Sequence, residues 1–215
     1  MRPQSFKPVA LAFLALAAIG AVTACSQSNE TAANGSPQAG PVPGESGNVK
    51  QMIASWPEAS RMAAADMIQK YGPPQEVTAS MLMWKDNGPW KWTKVSRETI
   101  QHDFPMSHPD LLEQAIAYRT PVDKYDDLAS YDGSVIVERT KGEMSARCDK
   151  EGANFLAINL GNDVATGKKT AEEARIYYTA AIKRFMRTKE MDPYMQKLQF
   201  QSSGQSTGDP DSAAM

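Results

Sequence analysis

Two hairpin signals constrain this chain more than any other feature. Asp86, Asn87 and Gly88 separate two runs rich in Val, Thr, Met and Trp, Glu76 to Trp84 and Trp90 to Thr99. Asn-Gly between such runs favours a tight antiparallel reversal, because both residues tolerate a positive φ. With the reversal centred there, Met83 faces Trp92 and Trp90 faces Lys85 across the ladder. Farther on, Ser134 to Arg139 and Glu143 to Cys148 flank a Thr140, Lys141, Gly142 turn, with glycine where a positive φ is wanted. Pairing Val137 with Ala146 and Val135 with Cys148 gives the more apolar face.

Helical signals alternate with the hairpins. Ala64, Met67, Ile68 and Tyr71 form one apolar stripe that Gly72, Pro73 and Pro74 must end. Ser107 and Asp110 resemble a capping box, and Leu111, Leu112, Ala115 and Ile116 supply the apolar face of a short helix up to Tyr118. Asp149 can cap a helix carrying Leu156, Leu160 and Val164 that ends at Gly167, and Thr170 with Glu173 makes a further capping box. The last long helix carries Ala174, Tyr177, Tyr178, Ala181, Ile182, Phe185 and Met186 on one broad face, and Pro193 marks its end. The order helix, hairpin, helix, hairpin, helix, helix predicts an α+β domain: two helix-then-β-hairpin units forming an antiparallel sheet packed by helices, with a C-terminal helical pair.

The 215 residues are 41% hydrophobic and 22% charged, which excludes a wholly disordered chain. A formal net charge of −2 argues against a nucleic-acid binder, and two cysteines exclude a disulfide scaffold. Arg2 and Lys7 precede a nearly continuous apolar run from Val9 to Ile19, the layout of a secretory signal peptide. Val22, Thr23, Ala24 and Cys25 look like the lipobox of bacterial lipoproteins, which implies that Cys25 is acylated and becomes the new N-terminus. Buried acyl methylenes contribute about 0.8 kcal/mol each, so acylated Cys25 alone can anchor the chain in membrane lipid. By similarity to sorting in enteric bacteria, Ser26 implies the outer membrane, facing the periplasm.

The organisation follows: residues 1–24 a lipoprotein signal peptide, 25–49 a flexible tether, 50–200 a single α+β domain and 201–215 a disordered tail. The tether is Ser, Asn, Gln, Ala, Gly and Pro with two Glu, with a reach of roughly 25 to 30 Å.

Met67 to Trp84, with Lys70, Tyr71, Gly72, Pro73, Glu76, Val77 and Trp84, resembles the helix, Gly-x-Pro turn and strand of outer-membrane-assembly lipoproteins of the SmpA/OmlA kind. More of the chain, Trp56 to Phe200, resembles an uncharacterised family of bacterial exported lipoproteins. Lys70-Tyr71-Gly72-Pro73-Pro74, Asp132-Gly133-Ser134-Val135 and Asn154-Phe155-Leu156-Ala157-Ile158-Asn159-Leu160 carry that resemblance, which implies architecture and location but no mechanism.

Trp84, Trp90 and Trp92, with Met83, are the candidate binding residues, because aromatic and methionine side chains are favoured at interfaces as well as in cores. Strand alternation sends Trp90 and Trp92 to the same face. The expected function is a lipid-anchored, non-catalytic envelope protein that binds or scaffolds another envelope component, without a cofactor. The alternative is a small thiol-dependent hydrolase using Cys148 with His102 or His108. A thiolate needs an imidazole or a helix N-terminus, and Cys148 precedes the predicted helix start, but Asp149 opposes a thiolate. A buried structural cysteine opposite Val135 is the simpler expectation. His102, Asp103, His108 and Asp110 fall within nine positions yet on a Pro-containing loop, with no third His or Cys in the segment, so no metal site is expected. Arg175, Lys183, Arg184, Arg187 and Lys189 read as the solvated side of the last long helix, with Asn154, Asn159 and Asn162 nearby as possible groove residues.

Overall fold

The computed structural model describes residues 45–202 and 207–215, with side chains from Val49 onward. The signal peptide, the lipobox with Cys25 and most of the tether lie outside the described residues. The elements are α1 (Glu45–Ile53), α2 (Glu58–Tyr71), β1 (Glu76–Thr78), β2 (Met81–Asn87), β3 (Trp90–His102), β4 (His108–Ala117), α3 (Tyr125–Tyr131), β5 (Val135–Glu138), β6 (Glu143–Cys148), α4 (Glu151–Ala165), α5 (Ala171–Thr188) and α6 (Pro193–Gln196). The strands form one antiparallel sheet in the order β1-β2-β3-β4-β6-β5, covered by helices, so the architecture is the α+β arrangement expected. Among the described residues no helix is long and apolar enough to cross a membrane.

Two apolar clusters hold the helices to the sheet. Under α1 and α2, Trp56, Ala64 and Met67 meet Leu82, Trp84, Val95 and Leu112. Under α4, Phe155, Leu156, Ile158 and Leu160 meet Trp90, Ile116, Met144 and Ala146, with Tyr178 of α5 and Met195 of α6 packed behind. Gly72, at φ 78°, ends α2 where only glycine turns easily, and its carbonyl accepts from Trp84 Nε1 at 2.9 Å. The Thr170–Glu173 capping box starts α5 as its sequence requires.

Four local expectations fail, each for a physical reason. Residues 108–117 form a strand, not a helix: Leu112, Gln114 and Ile116 alternate toward the helices, and pairing with β3 and β6 satisfies the backbone on both sides. The first hairpin pairs Asn87 with Trp90 and Lys85 with Trp92, two residues from the expected register. Pro89 has no N–H to give a ladder, so the reversal centres on Gly88 and Pro89. The second hairpin pairs Val135 with Ala146 and Val137 with Met144, because Arg139 to Gly142 all belong to the loop. Helix α4 begins after Lys150 without a side-chain cap, so Asp149 does not cap it.

The same hairpin separates the tryptophans. Asp86 sits at φ 49°, and the ladder skips the level of Asp86 and Lys91, so alternation breaks there. Trp90 therefore enters the core and stacks on Phe155 with ring centroids 4.6 Å apart. Trp92 is half-buried and donates Nε1 to Glu143 Oε2 at 3.1 Å. Trp90 and Trp92 do not share a face, and Trp84 and Trp90 are each 1% exposed. Both serve packing; of the four candidate binding residues, Trp92 and Met83 retain partial exposure.

Candidate functional site

The antiparallel return from β3 to β4 builds the site. His102 ends β3 directly opposite His108, which opens β4, and Asp110 follows two residues later, so period-two alternation puts His108 and Asp110 on one face. Phe104 of the intervening loop lies 5.3 Å from the ring of Tyr178, with the Arg175 guanidinium over its own ring at 3.8 Å, which fastens the loop to α5. Cys148 ends β6 opposite Leu112, not opposite Val135 as expected, and arrives from forty residues away.

His108 is the centre of the contacts. Its Nε2 lies 3.3 Å from Cys148 Sγ and 3.2 Å from Asp110 Oδ1, and its Nδ1 lies 2.8 Å from the Met106 carbonyl oxygen. A carbonyl only accepts, so Nδ1 carries a proton. A second proton on Nε2 is favoured chiefly by Asp110 and then by Cys148, and together these contacts push the imidazole up to about 11. Burial pushes the Cys148 thiol up, against the pull of His108. The arrangement thus sets a largely buried thiol beside an imidazolium already engaged by a carboxylate.

His102 stands beside this pair, its Nδ1 3.6 Å from Asp110 Oδ2 and its Nε2 3.6 Å from Asp132 Oδ1. Ser134 donates its backbone N–H to Asp132 Oδ1 at 2.8 Å and its hydroxyl to Asp110 Oδ2. Burial raises the Asp132 carboxyl above the usual range. One potential ligand atom from each of His102, His108 and Asp110 lies within 4.8 Å of the others, so these three side chains can hold a metal ion. The expectation that His102, His108 and Asp110 lie on a loop fails, because they sit on the paired strands β3 and β4. Asp103 is exposed and accepts from Gln101 at 3.2 Å, outside the cluster.

Cys148 and His108 also form part of the wall of a cavity of about 560 Å³ between the β3–β4 loop and helices α4, α5 and α6. Met106, Tyr178, Ile182, Phe185, Met186, Met191 and Met195 line the rest of it, with Asp149 and Lys150 beside the thiol. Met106, Met186 and Met191 are 46%, 51% and 42% exposed, so three methionines present apolar surface to solvent around this one cavity. The methionines beyond the last helical stripe carried no sequence signal of a pocket, since only the turn after α5 and the placement of α6 bring them together. A larger and more open depression of about 810 Å³ beside Phe104, Arg175 and Lys183 includes no histidine or cysteine.

The remaining sequence candidates serve the fold. Asn154 donates to the Leu112 carbonyl at 3.0 Å, Asn159 to those of Tyr194 and Lys197 at 2.9 and 2.8 Å, and Asn162 accepts from Tyr118 at 2.9 Å. They do not line a groove. Arg184 pairs with Asp192. No protein-family model, no curated protein and no solved structure matches the chain.

Proposed function

We propose that the mature chain is a lipid-anchored bacterial envelope protein whose domain binds a small amphipathic molecule, its apolar part in the methionine-rimmed cavity and its polar end at Cys148 and His108. The rim of exposed Met106, Met186 and Met191 carries this reading. Exposed apolar side chains gathered around one concavity mark a binding site, and methionine adapts its three rotatable bonds to ligands of varied shape. The volume falls within the range of small-molecule pockets, roughly 300 to 1,000 Å³. Anchoring through Cys25 places such a pocket beside a source of amphipathic molecules, the membrane itself.

Titrating the mature chain with a solvatochromic fatty-acid probe tests the reading. Ile182→Trp should weaken probe binding about tenfold or more by filling the cavity, while the melting temperature stays within a few degrees. Undiminished binding would place the ligand elsewhere. The anchor has its own test: Cys25→Ala should abolish acyl labelling and release the chain from membranes, and continued retention would refute it.

One contact favours a second reading, thiol-dependent hydrolysis with Cys148 as nucleophile and His108 as its proton partner. That reading requires the folded protein to be alkylated at Cys148 faster than an unperturbed thiol. Protection until unfolding would count against it.

A further inference from the structure

Asp110 is explained neither by the cavity nor by the thiol. It is 1% exposed at the head of a central strand, and its Oδ1 meets only the His108 ring, whose Nε2 lies 3.2 Å away. Its Oδ2 is occupied by the Ser134 hydroxyl, with Arg147 Nε 3.6 Å away. Both imidazoles turn one nitrogen toward this carboxylate and rest the other on an outer acceptor. For His102 that outer group is the Asp132 carboxylate, at an ion-pair distance of 3.6 Å; for His108 it is the Met106 carbonyl, hydrogen-bonded at 2.8 Å. An outer carboxylate or carbonyl of this kind fixes the tautomer and ring orientation of a metal-ligating histidine.

The electrostatics point the same way. Asp110, Asp132 and Asp149 converge on the cluster, while among the described residues Arg147 is the one permanently charged cation in contact with Asp110, and Lys150 pairs with Asp149 toward solvent. We propose that His102, His108 and Asp110 hold a divalent zinc-type ion, with Cys148 as the fourth, thiolate donor. Two imidazoles, one carboxylate and one thiolate are a borderline-soft set that suits a four-coordinate ion of this class. Cys148 stands outside the trio of mutually close donors, but its sulfur lies 3.3 Å from His108 Nε2, which makes it the neighbouring side chain placed to complete the coordination. On binding, the imidazole and thiol protons leave to solvent.

The detergent-solubilised full chain, stripped with chelator, is titrated with Co²⁺ and then with Zn²⁺. The expected result is saturable cobalt binding with the visible bands of a four-coordinate ion and a thiolate-to-cobalt charge-transfer band, both erased by zinc. His108→Ala should weaken binding by roughly 100-fold or more, and Asp132→Asn, which removes only the outer acceptor, by about 10- to 100-fold. Cys148→Ser should lose the charge-transfer band and keep the visible bands. Circular dichroism of each metal-free variant verifies its fold. If His108→Ala does not fold, the Asp132→Asn and Cys148→Ser spectra decide. Absence of saturable cobalt binding, affinity unchanged in the folded variants, or a charge-transfer band that survives in Cys148→Ser would each overturn the proposal.

Discussion

Trp90→Ala will destabilise the domain by about 3 to 5 kcal/mol, the cost of emptying an aromatic core site that cannot collapse. Trp90 is 1% exposed, stacks on Phe155 and donates Nε1 to Glu151 Oε1 at 2.7 Å, so the variant loses a buried ring and orphans part of a polar network. Trp92→Ala, two residues away, should cost about 1.5 kcal/mol or less, because that ring is half-buried and its one hydrogen bond reaches the rim of the sheet. Chemical unfolding of the two variants checks both values. Equal effects would mean that the break in alternation at Asp86 has been misplaced.

Glu151→Ala should cost roughly 2 to 4 kcal/mol, because its carboxylate joins elements far apart in the chain. Lys70 and Tyr71 of α2 contact it, as do Trp90 of β3 and Gln114 of β4, the last at 3.2 Å, while Glu151 itself opens α4. Lys70 is half exposed and adds little. The larger loss comes from the buried donors left without an acceptor, together with the favourable placement of an acid in the first turn of a helix. Burial pushes the Glu151 carboxyl up, but hydrogen bonds from Lys70, Tyr71 and Trp90 outweigh it and leave the group below its ordinary value. A depressed folded-state value means stability that is full above the unfolded value, near about 4.3, and is lost as the pH falls through the folded one. Unfolding midpoints should therefore fall with acidification more steeply in the native chain than in Glu151→Gln. Parallel pH profiles would contradict this account.

What could be read from the sequence was local. The stop at Gly72, the existence of both hairpins, the Thr170 capping box and the broad face of α5 depend on residues within a few positions of one another, and the structure has them all. The failures begin where distant partners decide. Leu111, Leu112, Ala115 and Ile116 satisfy a helical spacing, yet the segment becomes a central strand because β3 and β6 lie on both sides of it. That one error hid the site. On a helix or loop, His102, His108 and Asp110 do not converge; on paired strands His102 faces His108 and Asp110 follows on the same side. The scarcity of such residues pairs Cys148 with His102 or His108, but spacing cannot choose between the two histidines, since forty residues and a second hairpin intervene before Cys148 meets His108. Lys70 and Tyr71 marked a turn in the sequence and prove to be the α2 half of a network closed by Glu151, eighty positions on.

The central claim, that the cavity takes an apolar ligand, is tested most directly by methyl spectra of the mature chain with labelled methionines, recorded while the fatty-acid probe is added. The account predicts shifts at Met106, Met186, Met191 and Met195, which line the cavity, and none at Met62 of α2 or Met83 of β2. Shifts centred on Met83 would move the binding surface to the tryptophan hairpin, and together with silence from the four cavity methionines they would contradict the claim.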